Sequence, residues 1–564
     1  MTRRRLLSVL SLTILIAIAA VAWNRLTALT SYLRPSFVST TPPVSPATMT
    51  PQIRPIVVVG SGLAGLTAAY TALASGASKV YMLERAAKPG GNSIKASSGI
   101  NGANTRFQAA AHHGLVDDTF YDDTIKSAAL RGDQNEGPQR KALIKTLTQY
   151  SAEAIDFLSC LGVDLSVVVQ LGGHSQPRTH RGAGKTPPGA AIVTTLLKKL
   201  QEEESRFELL TQCEVTKLLT ASDEKDPWGQ MDWSHPHPSG ISPPNPAGQD
   251  PPVVVGVEFR RLKDGTLDEL RGPVIFTTGG FAGDTLGLLA QYRPDLSGMP
   301  STNEPRPSTH RILSDVGAKL VDMERVQIHP TGFVDPANPN AQLKFLAAEM
   351  LRGEGGIVVR GDDGTRFVNE LETREHVSKA IMDLPPSAVE DTDIRQWKVE
   401  LILDEGVKEA AASHVGFYMW KGLLQKKKVS ELSAELKKTL SSYAAIVKGE
   451  KNDDLGRTVF GHWQLGVETP IKDDDEVYIG HVTPITHFTM GGALINEQAQ
   501  VLVSDLGQDP KPILGLWAAG EITGGLHGDN RLGGSSLLEC VVFGKIAGLH
   551  AHVYDIEQPA SKLD

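Results

Sequence analysis

The chain has 564 residues, 40% hydrophobic and 21% charged, an ordinary globular composition too long for one simple core. Its net charge of −9 leaves no basic footprint for nucleic acid. Three widely spaced cysteines, Cys160, Cys213 and Cys540, support neither a disulfide framework nor a zinc site, and no metal is expected.

The first 33 residues stand apart. Arg3, Arg4 and Arg5 precede an apolar run from Leu6 to Trp23, broken only by Ser8, Ser11 and Thr13. Seven basic residues and no acidic one precede Glu84, so the rest of the chain is more acidic than the whole. The run is near the lower length limit for a spanning helix. It fits a signal anchor, giving a single-pass membrane attachment with the arginines on the cytosolic side. It also fits a cleaved signal peptide with Ala20-Val21-Ala22 at the cleavage site. Both imply an endoplasmic reticulum or secretory-route membrane or lumen. A mitochondrial presequence is the alternative, allowed by the lack of acids and disfavoured by the apolar run. Residues 34–54, rich in Pro, Ser and Thr, read as a linker.

A folded body is predicted from Pro55. The β-branched run Ile56 to Val59 predicts a strand, and Gly60, Gly62 and Gly65 follow it into an alanine-rich helix. A second strand, Lys79 to Leu83, ends at Glu84, 19 residues after Gly65. This is a dinucleotide-binding arrangement with its full context. Gly60 permits the tight turn, Gly62 lets the backbone approach a pyrophosphate, and Gly65 lets helix and strand pack closely. The helix N-terminus supplies amides for the phosphates, and Glu84 is placed to accept ribose hydroxyls.

Further along, "GGNSIKASSG" offers a second backbone-exposing loop, with Gly91, Asn92, Ser97 and Gly99 as candidate cofactor contacts. "GPVIFTTGG" reads as a buried strand ending in a glycine turn at Gly279. In "VQIHPTGF", Pro330 is expected to stop a strand-like run and hold His329 in one place. Residues 221–252 read as a solvent loop between two strands. His235 and His237 within it are assigned to that loop and not to a metal. Near the C-terminus, "GLWAAGEITGGLHGDNRLGGSSLLE" gives a strand, a glycine-rich loop and a helix. Glu521, Ser535 and Ser536 are the candidate contacts there to a ribityl chain or flavin edge.

Six stretches in one order carry a resemblance: the Gly60–Gly65 loop, "QIHPTGF", "FLAAEMLRGEGGIVV", "GTRFVNELETRE", "THFTMGG" and "HGDNRLGGSSLLECVVFG". Together they resemble the flavoprotein family of fumarate reductases and succinate dehydrogenases. The likeness is to the soluble fungal type and to the flavoprotein part of flavocytochrome c fumarate reductases, over about residues 55 to 555. It implies an α/β fold: a discontinuous Rossmann-like FAD-binding domain, 55–323 and 488–556, with an inserted α+β capping domain, 324–487, and a tail, 557–564. It implies FAD as cofactor and reduction of fumarate to succinate by hydride from flavin N5. His329 would bind one carboxylate, and His487 and Arg531 the other. Arg374, in the NE-x-x-TR stretch, would be the proton donor, with Glu349 and Arg352 as its relay.

Three departures stand out. Members with covalently attached flavin carry histidine where Asn92 stands, so the FAD here should be non-covalent. Bacterial relatives carry a hydroxyl residue where Ala348 stands. The family's Thr-Gly-Asp-Gly turn is absent from "EPRPSTHRILSDVG". The alternatives are L-aspartate oxidase, a succinate dehydrogenase flavoprotein (disfavoured by Asn92) and an electron-transfer subunit without substrate chemistry. No Cys-x-x-Cys-His haem pattern occurs, so the electron donor would be reduced soluble flavin or another carrier.

Overall fold

The computed structural model describes residues 54–129, 137–184, 186–223, 251–387, 393–503 and 510–557. The apolar segment 1–33, residues 34–53 of the linker, residues 224–250 with His235 and His237, and residues 558–564 of the tail lie outside these.

Ile56, Val57, Val58 and Val59 form strand β1 and are all buried. A run of four apolar β-branched residues is what a strand covered on both faces demands. Helix α1, Leu63–Ala74, follows and returns the chain to β2, Val80–Glu84. Strands β3, Phe207–Thr211, and β4, Val274–Phe276, join the same sheet. The strands that flank the 221–252 loop, Cys213–Thr220 and Val254–Arg261, pair antiparallel in a separate three-stranded sheet.

The chain then builds a second layer. Its antiparallel sheet contains β5, Val326–Phe333; β6, Ile357–Arg360; β7, Val399–Leu403; and β8, Glu476–Thr489, in the spatial order β5-β8-β7-β6. Between β5 and β6 lies the short helix α2, Met350–Gly353, and between β6 and β7 the helix α3, Arg374–Met382. The chain re-enters the first layer through β9, Gln500–Leu502, β10, Pro512–Ala518, and the long helix α4, Ser535–Glu557.

The first sheet has the order β9-β10-β4-β1-β2-β3, parallel except for the β9–β10 pair. Crossovers leave β1 toward β2 on one side and β4 on the other. The crevice at the carboxyl end of β1 is therefore the site a doubly wound sheet offers a ligand. Helix α4 is long and apolar enough to cross a membrane by length and composition, yet 61% of its apolar window is buried inside the protein. It lies against α1 so closely that a Cβ on Gly544 would stand 2.7 Å from the Ala64 carbonyl oxygen. Two hydrophobic cores result. One gathers Ile56–Ala318 residues with those of 493–551; the other runs from Phe281 to Val482. The α/β class and the FAD-binding architecture expected from sequence are both present.

One local expectation is corrected. Pro330 does not end its strand: β5 runs on through it to Phe333. The ladder instead breaks at a bulge, with register shifting between His329 and Gly332 opposite the stretch that contains Pro484. Neither proline can donate a hydrogen bond, so the bulge interrupts the ladder without stranding an amide at either of them.

Candidate active site

The glycines of the first loop are required by contact as well as by conformation. Gly60 has φ +102°, and a Cβ there would stand 2.6 Å from the Thr277 carbonyl oxygen. A Cβ on Gly65 would collide with the Gly60 carbonyl and lie 2.7 Å from Thr277 Oγ1. Gly62 itself gives α1 no side-chain cap, Leu63 N donates to Ser93 Oγ at 3.1 Å, and a Cβ on Gly91 would face the Gly62 Cα at 3.6 Å. The start of α1 therefore lies between two glycine loops, the setting a pyrophosphate needs.

Glu84 closes β2, accepting from Ser61 N at 3.1 Å and Ala86 N at 2.7 Å. Gly279, at φ +83°, meets nothing within 4 Å of its Cβ direction. Gly280 presses against Glu521, whose Oε1 accepts from Thr489 N at 2.9 Å. Burial raises the Glu521 carboxyl to about 7. Gly99, at φ +128°, packs 2.5 Å (as Cβ) from the His180 carbonyl oxygen. Ser535 starts α4 and accepts from Asn101 Nδ2 at 3.0 Å; Ser536 follows it, half-buried. Ser97 is buried and its hydroxyl has no partner. Asn92 donates to Asn303 Oδ1 and accepts from Lys95 Nζ at 3.2 Å. A glycine cradle, a strand-end carboxylate and an orphaned buried hydroxyl fit FAD.

The loop lacking the Thr-Gly-Asp-Gly turn is built from side chains instead. Asp284 Oδ2 accepts from Ser308 N and Leu288 N, both at 3.0 Å. Ser308 Oγ meets His310 Nδ1 and Thr309 Oγ1 meets Thr278 Oγ1, each at 2.5 Å. Backbone freedom is thus replaced by hydroxyl and carboxylate partners that hold one conformation.

The cationic cleft sits where β5 and β8 meet. Both clamp histidines lie at irregularities of this strand pair. His329 borders the proline bulge, and His487 is the unpaired residue where register shifts between Gln327 and Ile328. Bulges re-aim side chains, and here the two imidazoles stand 5.6 Å apart between centroids at 67°. His329 Nδ1 lies 3.1 Å from the Thr331 carbonyl oxygen and 3.2 Å from Thr331 N, while His329 Nε2 is buried without a partner. His487 Nδ1 meets Thr302 Oγ1 at 3.2 Å.

Two arginines complete the cleft. Arg374 opens α3, whose N-terminus Thr373 caps by accepting from His376 N. Arg374 donates from Nε to Glu349 Oε2 at 2.8 Å and from NH1 to Gln327 Oε1 at 3.1 Å. Arg531 NH2 donates to the same Gln327 oxygen at 3.1 Å, its guanidinium lies 4.3 Å from the Phe488 ring centroid, and its buried Nε is unpartnered. Burial and the neighbouring Arg374 push Arg531 down to about 9. Arg352 is also buried, but its NH1 donates to the Glu370 carbonyl at 2.6 Å rather than to Glu349. Glu370 is itself held by Arg366 and Arg457. The structure therefore brings His329, His487, Arg374, Arg531 and Glu349 together and sets Arg352 one step behind.

Gln327, which joins the two arginines, was not singled out from sequence. The signal was present: on an extended strand, the residue two before His329 shares its face. Thr302 and Asn303 carried no such signal, because they reach His487 only through tertiary pairing.

Burial sets the charge states. Desolvation, with Arg374 nearby, holds His329 and His487 well below 6.5, so both are neutral. Desolvation also pushes His174, His180 and His310 down to about 4. Glu349 is held below the usual carboxylate range by Arg374 and Arg352 despite its burial. The unfolded chain binds protons at these histidines first, so their contribution is present above pH 6.5 and is lost on acidification. Each fully buried histidine costs roughly 2 kcal/mol at about pH 5. Glu521, raised to about 7, opposes this over the acid range. Five histidines outweigh one carboxyl. The melting temperature should fall between about pH 7 and pH 5 at fixed ionic strength, and an unchanged or rising value would contradict these assignments.

A dinucleotide cradle together with a buried cluster of two imidazoles and two guanidiniums fits a dinucleotide-dependent oxidoreductase. Residues 55–537 match the family model described as FAD binding domain. The chain is 37% identical to the fumarate reductase of Schizosaccharomyces pombe over 508 residues, 87% of this chain and 88% of that one. It is 40% identical to fumarate reductase 1 of Saccharomyces cerevisiae over 511 residues, 88% of this chain and 98% of that one. Among solved structures it is similar to the open conformation of a flavocytochrome c3 fumarate reductase, with TM-score 0.66 and 30% identity over 90% of this chain and 79% of that one. The chain belongs to the FAD-dependent fumarate reductase family of flavoproteins; it binds FAD and is an oxidoreductase.

Proposed function

We propose that this protein reduces fumarate to succinate. The observation that carries the proposal is the cluster itself: two adjacent neutral imidazoles and two guanidiniums joined by Gln327, with the His329 Nε2 and Arg531 Nε nitrogens buried and unpartnered. Such donors suit a small planar dianion with a carboxylate at each end. His329 binds one carboxylate through Nε2–H. His487 and Arg531 bind the other and draw electron density from the alkene. Bound FAD, held without a covalent link because Asn92 offers no imidazole, supplies hydride from its reduced ring.

Arg374 then protonates the carbon that does not receive hydride. A guanidinium holds its proton tightly, but the carbanion forming beside it is a stronger base. Glu349, hydrogen-bonded to Arg374, is placed to pass on a replacement proton, and Arg352 sits behind it. The donor of electrons is reduced soluble flavin or another carrier, and the N-terminal apolar segment serves as targeting signal or anchor.

An anaerobic assay with chemically reduced flavin as donor tests this. Fumarate should oxidise the donor, while oxaloacetate and L-aspartate should not. A parallel assay with an artificial electron acceptor in place of reduced flavin reads the opposite direction, and oxidation of L-aspartate there with no reduction of fumarate would overturn the assignment.

A further inference from the structure

We infer that Thr302 is a positioning residue that sets the tautomer of His487 and so makes its Nε2 a donor to substrate. The inference rests on the fumarate assignment above. A neutral imidazole has one N–H and one lone pair, and which nitrogen carries the proton is decided by the partner of the other. A dianion facing Nε2 needs Nε2–H. Nδ1 must then accept, and the Thr302 hydroxyl, which can act as donor or acceptor, stands 3.2 Å from it, where its O–H can be given to Nδ1.

Thr302 is held in place from several directions. Its own amide donates to the Thr486 carbonyl at 3.2 Å, and Thr486 N donates back to the Pro300 carbonyl at 2.8 Å. Ser301 Oγ donates to the Thr486 carbonyl at 3.2 Å, and Asn303 Nδ2 donates to the His487 carbonyl at 3.3 Å. Asn92 completes the chain by donating to Asn303 Oδ1. Residues 300–303 are thus zipped along β8 on both sides of His487.

The two clamp histidines are held by different means. His329 Nδ1 meets only main chain, with Thr331 N at 3.2 Å and the Thr331 carbonyl oxygen at 3.1 Å. His487 relies on a side-chain hydroxyl. Without it the imidazole is free to turn its Nε2 lone pair toward a carboxylate, which repels.

FAD-loaded Thr302→Val and Thr302→Ser proteins test this. In Thr302→Val, KM for fumarate should rise roughly tenfold while kcat stays within about twofold, because one oriented hydrogen bond is lost. Thr302→Ser should restore most of the loss. A second readout needs no substrate: 15N NMR of histidine-labelled oxidised protein, with the His487 signals assigned by their loss in His487→Gln. Wild type should show His487 protonated at Nε2, and Thr302→Val should show a mixture. An unchanged tautomer with unchanged KM in Thr302→Val would overturn the inference. Failure of wild type to turn over fumarate would sink the substrate assignment instead, and the NMR result would still decide the role of Thr302.

Discussion

Arg374→Ala is expected to abolish fumarate turnover while leaving FAD bound. Arg374 supplies a proton in the proposed reaction, and loss of a positioned acid costs about 10²–10⁴-fold or more in rate. The substitution also removes the hydrogen-bonded partner of Glu349, whose ionised state depends on Arg374 and Arg352. An unpaired buried carboxylate takes up a proton or draws in water. The FAD crevice is built from other elements, so flavin content should match wild type. Arg374→Lys separates charge from geometry: lysine keeps the charge but cannot donate to Glu349 and Gln327 as a planar fork. It should recover little activity. Turnover with reduced flavin as donor, alongside flavin absorbance and a melting curve, reads all three effects. Full activity in Arg374→Ala, with flavin bound, would remove Arg374 from the proton-donor role.

The second large effect is expected at Gly65. A side chain there meets the Gly60 carbonyl and Thr277 Oγ1, and neither is the end of a flexible chain. Gly65→Val must displace α1 from β1, which moves the first-turn amides away from the phosphates. Overpacking of this kind costs typically 1–3 kcal/mol, so FAD affinity should fall by roughly a hundredfold. Fluorescence titration of the FAD-depleted protein measures it. Gly184→Ala is the control, because a Cβ at Gly184 meets nothing within 4 Å. Equal FAD affinity in Gly65→Val and wild type would mean that the loop does not carry the cofactor.

Much of this was readable along the chain. The strand–Gly60–Gly62–Gly65–helix–strand–Glu84 unit is one continuous stretch of chain, although Gly60 and Gly65 also close on the distant Thr277. The buried run of β1 and the acidic residue closing β2 therefore appear in sequence much as they do in space. The glycine-rich loop before α4 was legible for the same reason. The course of β5 was not. Pro330 signals an ending when read alone. Only the pairing with β8, which brings the stretch around Pro484 opposite, turns it into a bulge within a continuing strand.

The short-range order of the chain determined its dinucleotide loop, and six motifs in one order carried the resemblance that implied the α/β class and the residues to bind a dianion. Tertiary structure decided the rest. It brought Gln327 between Arg374 and Arg531, set Arg352 behind Glu349, and laid residues 300–303 beside His487. The reason is physical: a glycine's conformation and a strand's burial are properties of neighbouring residues. A hydrogen bond between Thr302 and His487 exists only once two distant segments pair, and no short window of sequence contains both.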